Sequence, residues 1–371
     1  MNVRSSYKKE DVVLLLKDIT GMVEPLSTEV REKLIQNGKH YSEMLPIEYV
    51  PSKQYITVYQ EVLKVYAKPV ALAVGQLADK IIEKKGKKVV LVSLVRAGVP
   101  VGILIKRFIY KKYNINIPHF AISIIRGRGI DDNAMQYLLK HYDPEQLLFV
   151  DGWIGKGAIL KELKKNIAAY KGVSDDIAVL ADPANMTELC GTHEDILIPS
   201  ACLNSTVSGL ISRSFLRNDI IGKNDFHGAV YYQDLEGVDH SYAFIESIEK
   251  EFVNVDSLAK EIGKDKRTRN DVISHKDTNH SGEVETGMIE AVLIAKAFSM
   301  KDINLIKPGI GETTRVLLRR VPWKILIDER YEQDPQLKHL LQLAEEKNVP
   351  IVHYPLTHYK CCGIISQLAD T

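Results

Sequence analysis

The sequence predicts an α/β protein built on a parallel β-sheet. Three short apolar runs, at residues 89–93, 147–150 and 177–182, have the length and composition of strands that are covered on both faces. Segments with helical spacing of apolar residues separate these runs, and strands that alternate with helices form parallel sheets with helices on both sides. At 371 residues, the chain is long enough for two or three domains.

The segment before Lys87 is predicted to be mostly helical, because apolar residues recur at helical spacing from Val58 to Ile82. From there to residue 182, strands and helices are expected to alternate. In chain order they are a strand at 89–93, a helix at 99–113, a strand at 119–125, a polar loop at 126–132, a helix ending at His141, a strand ending at Val150, a helix at 158–171 and a strand at 177–182.

A polar stretch at residues 262–285, nearly free of apolar side chains, is the predicted linker or mobile loop. It divides the chain into a large domain at 1–261 and a small domain at 286–371. These roughly ninety C-terminal residues are enough for a small α/β/α domain. Its expected elements are a helix at 289–297, a turn at 307–309, a helix at 312–319, a strand at 324–327, a helix at 337–347 and a strand at 351–354.

Composition and charge limit the partners of the chain. The formal net charge of +1 gives no overall attraction to nucleic acid or to a membrane. Four cysteines without a CxxC pair fit a reducing compartment. The apolar stretch at residues 12–16 is too short for a signal peptide or a membrane span. We therefore expect a cytoplasmic protein with no membrane partner, whose oligomeric state stays open.

The most informative motif lies at residues 147–160, where an apolar strand ends at Asp151, a loop with three glycines follows, and a helix begins. Glycine lets backbone amides turn inward around a phosphate, and a helix start adds a favourable dipole. A carboxylate beside that phosphate can accept hydrogen bonds from sugar hydroxyls. The pattern therefore indicates a phosphorylated ribose. It is not a Walker loop, because Lys156 is followed by Gly157 and not by Ser or Thr.

A second loop, Ser-Leu-Val-Arg-Ala-Gly at residues 93–98, also follows a predicted strand. Ligands gather beyond the carboxyl ends of parallel strands, so both loops can face one crevice. Here residues 85–182 resemble the type I phosphoribosyltransferases. The loop around Arg96 resembles their pyrophosphate loop, of which uracil phosphoribosyltransferases carry a similar Leu-Arg-Ala-Gly, and the Asp151 loop resembles their phosphoribosyl pyrophosphate (PRPP) motif. Residues 125–132 stand where that family keeps a flexible catalytic loop.

The resemblance implies roles for particular residues. The catalytic group comprises Arg96, Arg126, Arg128 and Asp151. The PRPP-binding group comprises Val95, Ala97, Gly98, Gly152, Trp153, Gly155, Lys156, Gly157 and Ala158. Mg²⁺ is the implied cofactor, held through the ligand and water with no direct protein ligand. Two departures stand out: Gly152 replaces the second acid of the family motif, and 156–159 replaces its Thr-Gly-Gly-Thr.

The polar region at residues 191–239 is the expected place for an acceptor pocket, although a surface loop without a ligand would have the same composition. Asp182 stands at the end of the preceding predicted strand, where it either contacts the acceptor or begins a turn. The acceptor candidates are Asp182, His193, Asp195, Asn204, Ser208, Ser212, Arg213 and His227.

The C-terminal unit resembles the RNA-binding domain shared by the L7Ae ribosomal proteins and Pelota. Its Gly-x-Asn-Glu-x-x-Lys helix start is matched by Gly309, Glu312 and Arg315, with Gly311 in the Asn position. These residues and Lys307 are the RNA-contacting candidates. The alternative is a docking domain in which Glu312 only caps its own helix. Residues 284–371 carry 11 basic and 11 acidic residues, so no basic excess favours RNA.

Together the two resemblances match the phosphoribosyltransferase–Pelota fusion proteins of bacterial tellurite-resistance and stress gene clusters, a group that has been labelled cysteine protease StiP. We expect a Mg²⁺-dependent enzyme that transfers phosphoribose from PRPP to a nucleobase-like acceptor, or removes it, in a stress-associated pathway. One alternative is a non-catalytic regulator that senses PRPP or a nucleotide and binds RNA. The second is a cysteine protease, using Cys190 with His193, or Cys202 with His227 and Asn204.

Overall fold

The structure is a computed structural model that describes residues 3–255 and 287–367. The predicted linker at 262–285 lies outside these ranges. In the larger domain, the helices and strands are, in chain order, β1 (Val13–Leu14), β2 (Lys17–Asp18), α1 (Thr28–Gln36), α2 (Lys53–Lys85), β3 (Val90–Leu94), α3 (Gly98–Tyr113), β4 (His119–Ile122), β5 (Ile124–Ile125), β6 (Gly129–Ile130), α4 (Asp132–His141), β7 (Leu147–Trp153), α5 (Ala158–Ile167), β8 (Ile177–Ala181), β9 (Cys190–Thr192), β10 (Gly228–Ala229) and α6 (Ser241–Lys250).

The main sheet has six strands in the order β1-β4-β3-β7-β8-β9, and all of its pairings are parallel. This confirms the predicted α/β fold class. From β3 the chain crosses to β4 on one side and then returns to β7 on the other side of β3. The strand order therefore reverses between β3 and β7, which is where an open α/β sheet forms a crevice at the carboxyl ends of its strands.

Side chains alternate between the two faces of β3, and each face has its own apolar core. Leu91 packs with α2 and α3, whereas Val90 and Val92 pack with α4 and α5. The 33-residue α2 begins at Ser52, whose side chain accepts a hydrogen bond from the Tyr55 amide. These helices hold β3 and β7 rigidly, and so fix the two loops that follow them.

The C-terminal unit contains a second, mixed sheet in the order β11-β14-β12-β13. Only the β12–β13 pair is parallel. The elements are α7 (Gly287–Ala297), β11 (Ile306–Pro308), α8 (Ile310–Arg319), β12 (Pro322–Ile327), α9 (Lys338–Glu346), β13 (Ile351–His353) and β14 (Cys361–Ile365). The central strand β14 was not predicted.

Several predicted boundaries were wrong. The expected strand at 119–125 divides at Ser123, and the expected polar loop after it contains β6, which pairs with β5 in a hairpin. Strand β7 continues past Asp151 to Trp153. Helix α5 ends at Ile167 rather than at 171, because turn hydrogen bonds at Ala169 and Tyr170 replace the helical ladder.

In the C-terminal unit, the expected turn at 307–309 is also wrong in part. Lys307 and Pro308 belong to β11, which pairs with β14, and only Gly309 leaves the strand, at a φ of 89°. That positive φ favours glycine, and the residue leads directly into α8.

The two sheets share one continuous apolar core. Ile310 and Leu317 of α8 and Leu340 of α9 belong to the same buried cluster as Val70 and Leu77 of α2. Within the described ranges, none of the helices combines the length and the apolar character needed to cross a membrane.

Candidate functional site

The loops after β3 and β7 lie directly against each other. A β-carbon on Gly152 would come 3.2 Å from the Ala97 side chain, and one on Gly98 would come 2.3 Å from the Val150 carbonyl oxygen. Gly98 therefore needs to be glycine for this close approach, whereas a β-carbon on Gly152 would make a tight contact with Ala97. The peptide bond between Val95 and Arg96 is cis. The two predicted ligand loops thus occupy one edge of the sheet, at the point where the strand order reverses.

The second loop presents unpaired backbone donors. Among the residues that the structure describes, no protein acceptor faces the amides of Gly155, Lys156 and Gly157. Gly157 has a φ of 78° and leads into the first turn of α5 at Ala158. Free amides that converge at a helix start form a cradle for an anion such as a phosphate.

Asp151 lies between the two loops, on β7. Its Oδ1 accepts a hydrogen bond of 2.7 Å from the Gly152 amide. Burial nevertheless raises the pKa of Asp151 to about 6. A carboxyl group with this pKa ionises near neutrality and gains from hydroxyl donors or a cation placed beside it.

Asp151 lies in the wall of two adjoining cavities. The larger cavity has a volume of about 710 Å³, within the range of pockets that hold nucleotide-sized ligands, and includes the loop from Trp153 to Ala158. The smaller has a volume of about 240 Å³ and includes Val95, Arg96 and Ala97. The cavities share eight wall residues: Tyr41, Asp151, Ile159, Arg213, Lys307, Glu312, Arg315 and Arg320.

The walls carry a strong excess of positive charge. Taken together, the walls of the two cavities contain ten basic residues: Arg31, Arg96, Arg126, Lys156, Arg213, Lys301, Lys307, Arg315, Arg319 and Arg320. The acidic residues are Glu32, Asp151, Asp302 and Glu312. A concave surface with this balance concentrates anions.

The predicted catalytic residue Arg96 is already engaged by the protein. Its Nη1 lies 3.0 Å from Glu48 Oε1 and 3.0 Å from the Ile211 carbonyl oxygen, and its side chain is almost fully buried. In the same small cavity, Arg319 donates from Nε to Asn204 Oδ1 and has no carboxylate partner among the described residues. Arg319 is therefore better placed than Arg96 to contact an anion there.

The two arginines of the predicted flexible loop differ in position. Arg126 lies in the wall of the larger cavity, 5.9 Å from the centre of the Tyr41 ring, and donates to Asn304 in the C-terminal unit. Arg128 is not part of the wall of either cavity and forms an ion pair with Glu43.

The C-terminal unit supplies one wall of the larger cavity. Lys156 Nζ donates to the carbonyl oxygens of Ile303 and Ile306, so this side chain joins the two domains instead of turning toward the amide cradle. Tyr359 donates its hydroxyl proton to the Gly155 carbonyl at 2.7 Å. Burial lowers the pKa of Lys156 to about 8.

The four predicted RNA-contacting residues face the larger domain. Lys307 lies in the cavity wall, and burial lowers its pKa to about 7. Glu312 pairs with Arg315 at 2.9 Å, and Gly309 packs near Asp195. Gly311, in the expected Asn position, lies against the Trp153 ring. In this arrangement, the motif of the C-terminal unit borders the cavity.

The predicted acceptor residues do not come together in one pocket. Arg213 alone lies in the wall of the larger cavity, 4.5 Å from the centre of the Tyr41 ring. Asp182 accepts hydrogen bonds from the Met186 and Thr187 amides. Asp195 accepts from the amides of Ile310 and Lys360, at 3.0 Å each, and so caps α8 across the domain boundary. The Asn204 side chain accepts from Arg319 of the C-terminal unit, and its carbonyl oxygen accepts from Ser208. The remaining candidates bond within the large domain: His193 with Cys190, Ser212 with Val230, and His227 with Ser123.

All four cysteines are buried and free. Cys190 Sγ lies 3.3 Å from His193 Nε2, and His193 Nδ1 lies 3.8 Å from Asp182 Oδ2. The imidazole of His193 therefore lies between the thiol and the carboxylate. Burial raises the pKa of Cys190, however, whereas a nucleophilic thiolate needs a lowered one. Among the described residues, no hydrogen bond joins Cys202 to His227: the Tyr55 hydroxyl donates to the Cys202 carbonyl oxygen, and His227 Nδ1 bonds with the Ser123 hydroxyl.

No group of three or more potential metal ligands occurs within residues 3–255 and 287–367. A cation at this site would rely on Asp151 and on oxygen atoms of a bound ligand. The raised pKa of that carboxyl fits such a cation, since a divalent ion beside it would stabilise the ionised form.

Sequence reasoning missed Arg31, Arg319 and Arg320 as wall residues. A signal for Arg319 was present, because it follows Arg315 by four positions on a predicted helix and so shares its face. Arg31 offers no local signal, since its position in the wall depends on how α1 packs against the rest of the chain.

Two family models match separate parts of the chain. A family model described as the tellurite-like stress resistance cysteine protease StiP matches residues 5–249. The model of the PELOTA RNA-binding domain matches residues 285–367. The cysteine protease StiP of Acinetobacter baylyi is 32% identical over 376 aligned residues, which cover 98% of this chain and 94% of that protein.

Two solved structures of a hypoxanthine-guanine phosphoribosyltransferase from Bacillus anthracis also match, at 15% and 14% identity. They cover 36% and 37% of this chain and 77% and 80% of their own, each with a TM-score of 0.23. At that TM-score the similarity carries no argument about function.

Proposed function

The chain belongs to the StiP family, with a C-terminal PELOTA domain, and on that premise we propose that it binds PRPP and transfers its phosphoribosyl group to a small acceptor. One observation carries the proposal. The free amides of Gly155, Lys156 and Gly157, the carboxylate of Asp151 and the loop at 95–97 line two joined cationic cavities. That arrangement supports a binding mode in which the amides hold a phosphate, Asp151 holds a sugar diol and the loop at 95–97 holds a pyrophosphate.

The proposed binding mode follows from the wall chemistry. The 5′-phosphate lies against the amides at residues 155–158 and the N-terminus of α5. Asp151 accepts hydrogen bonds from the ribose hydroxyls. The pyrophosphate lies beside the backbone of Ala97 and the guanidinium of Arg319.

Transfer then needs no protein nucleophile. A nitrogen of the acceptor forms a bond to C1 of the ribose while the bond from C1 to the pyrophosphate oxygen breaks. The electron pair leaves with pyrophosphate, and the proton of the acceptor nitrogen passes to solvent. The cationic walls stabilise the negative charge that grows on pyrophosphate, and the cavity positions the reactants. The same site can run the reaction in the opposite direction.

Mg²⁺ is the proposed cofactor, and when bound it would neutralise pyrophosphate charge. Asp151 is the residue that would hold it, together with oxygen atoms of the ligand and water.

Calorimetry of the full chain with PRPP and Mg²⁺ tests the binding proposal. We expect one PRPP per chain. Asp151→Asn should weaken binding by about 10- to 100-fold, since a hydrogen bond to a charged group contributes about 1.5–3 kcal/mol. Asp219→Asn, at an exposed carboxylate 60% accessible to solvent, is the matched control and should bind like the wild type. Absence of PRPP binding by the wild type would refute the proposal.

Pyrophosphate release with a panel of neutral nucleobases and of acidic nitrogen-containing acceptors separates an enzyme from a sensor. Release with one acceptor supports transfer. Binding of PRPP without release under any acceptor would instead favour the non-catalytic regulator, a reading that the replacement of the second acid by Gly152 supports.

A cysteine protease is the second candidate, because the curated relative bears that name and Cys190 lies beside His193 and Asp182. Its test is hydrolysis of a denatured protein substrate by the wild type and by Cys190→Ser. Hydrolysis that Cys190→Ser abolishes and Cys202→Ser retains would establish it.

RNA is a further proposed partner, supported by the PELOTA match, and filter binding of structured RNA by wild type and Arg315→Ala tests it.

A further inference from the structure

The cavity walls contain arginines of two kinds. Three are neutralised by a carboxylate: Arg96 by Glu48, Arg315 by Glu312 and Arg320 by Glu32. Among the described residues, the other four have no carboxylate within ion-pair distance: Arg31, Arg126, Arg213 and Arg319. Arg126 instead donates to Asn304 of the C-terminal unit. Arg319 lies in the small cavity with the pyrophosphate loop, where the proposed reaction uses it. Arg31 and Arg213 have no role in that binding mode.

Arg31 is an unusual residue in this cavity wall. It is only 2% exposed, yet its Nε and Nη2 have no hydrogen-bond partner within the part of the chain that the structure describes. A buried charge without a partner is strongly destabilising unless another group satisfies it. Arg31 belongs to the wall of the large cavity and not of the small one.

Arg213 completes the arrangement. It stacks over Tyr41 at 4.5 Å and belongs to the wall of both cavities. Arg31 and Arg320 belong to the same wall of the large cavity as Arg213. Glu32 neutralises Arg320 through two hydrogen bonds, of 2.6 and 2.9 Å, and Asn304 accepts a hydrogen bond from Arg126. Among the described residues, Arg31 and Arg213 are then the arginines of the large-cavity wall whose guanidinium groups have neither an ion pair nor a hydrogen bond. Together they offer donors for an anion beside a flat aromatic surface.

We propose that Arg31 and Arg213 form a subsite for a negatively charged group of the acceptor, so that the acceptor is an acidic small molecule carrying a carboxylate or a phosphate. This inference rests on the proposed function, because it takes the 5′-phosphate and pyrophosphate of PRPP to occupy the two loops. The anionic group stays intact during transfer: it anchors the acceptor while a different atom, its nitrogen, bonds to C1. Neutral nucleobases lack this anchor and bind weakly.

Titration with inorganic phosphate tests the subsite. The full chain is first saturated with PRPP and Mg²⁺, and phosphate binding is then measured by calorimetry. We expect one further phosphate per chain, bound at least tenfold more weakly by Arg31→Gln and by Arg213→Gln. PRPP affinity is measured in parallel, and in both variants phosphate binding should fall by a larger factor than PRPP binding. Arg217→Gln, at a surface arginine paired with Asp219, is the matched control and should bind phosphate normally.

Because Arg31 is buried, Arg31→Lys and Arg213→Gln carry the test if Arg31→Gln does not fold, and melting temperatures identify that case. Displacement of the bound phosphate by nicotinate but not by nicotinamide would identify a carboxylate-carrying acceptor. If neither nicotinate nor nicotinamide displaces the bound phosphate, the subsite instead takes an acceptor that carries a phosphate.

Two results would overturn the inference: equal phosphate binding by wild type and Arg213→Gln, or displacement by nicotinamide as effective as by nicotinate. Failure of the wild type to bind PRPP would instead refute the proposed function. In that case, phosphate binding is compared between Arg213→Gln and the wild type, both without PRPP. A stoichiometry lower by one phosphate per chain in the variant would still support the subsite, and an equal stoichiometry would refute it.

Discussion

The guanidinium carbon of Arg315 lies 4.3 Å from the centre of the Trp153 ring, so a cation of the C-terminal unit stacks on an aromatic side chain of the larger domain. Both residues belong to the wall of the large cavity. The C-terminal unit therefore completes this cavity, and a ligand there contacts residues of both domains.

Trp153 should report ligand binding through its fluorescence. Addition of PRPP with Mg²⁺ changes the environment of Trp153, because the ligand fills the cavity beside it. The second tryptophan, Trp323, lies on β12 and is 39% exposed. We predict a saturable fluorescence change in the wild type and in Trp323→Phe, and no change in Trp153→Phe. A signal that persists in Trp153→Phe and vanishes in Trp323→Phe would contradict this placement.

Close packing of the two loops predicts the cost of a methyl group at Gly98. A β-carbon there meets the backbone oxygen of Val150 at 2.3 Å, which cannot rotate away. Gly98→Ala should lower the free energy of unfolding by about 1–3 kcal/mol. Gly237→Ala is the matched control, because no atom lies within 4 Å of its added β-carbon. Denaturant titration measures both, and equal stability of the two variants would rule out the loop contact.

The raised pKa of Asp151 predicts that this carboxylate, which is proposed to bind ribose, lowers the stability of the folded chain near neutral pH. Burial raises this pKa from 3.8 to about 6 in the folded chain, so the unfolded chain ionises first as the pH rises. The folded state is therefore destabilised as the pH rises from about 4 to 6, and the full effect persists above that range.

Asp151→Asn removes this effect. At pH 7.5 the variant should be more stable than the wild type by about 1–3 kcal/mol. The difference should shrink as the pH falls from about 6 to 4. Thermal denaturation across this range measures it, and a variant that is less stable than the wild type at pH 7.5 would be incompatible with a carboxylate whose pKa is raised in the folded chain.

The buried thiols predict low reactivity. All four cysteines are buried, and burial raises the pKa values of Cys190 and Cys362, the latter to about 12. In the native chain, a thiol-specific chromogenic disulfide should label fewer than one thiol per chain within minutes, and all four after denaturation. Rapid labelling of Cys190 alone would instead indicate an activated nucleophile and strengthen the protease candidate.

Much of the main sheet could be predicted because its signals are local. The apolar runs of β3 and β8, the strand before Asp151 and the glycines after it depend only on neighbouring residues. The same reasoning missed β14, because Cys361–Ile365 contains Gly363 and because its strand character comes from pairing with β11 and β12.

The candidate site shows the same limit. Asp151 and the amides after it were predicted from one continuous motif. Arg31 could not be predicted, since it reaches the wall from α1, and the inward direction of Arg315 depends on domain docking. Asp195 was predicted as a ligand-binding residue from its polar surroundings, whereas in the structure both of its carboxylate oxygens accept backbone amides of the C-terminal unit.

A crystal structure of the full chain with PRPP and Mg²⁺ tests the central claim most directly. The account predicts the 5′-phosphate on the amides at residues 155–158, the ribose hydroxyls on Asp151 and the pyrophosphate beside Ala97 and Arg319. PRPP bound away from the two loops would contradict it, as would a phosphate cradle left empty at saturating PRPP.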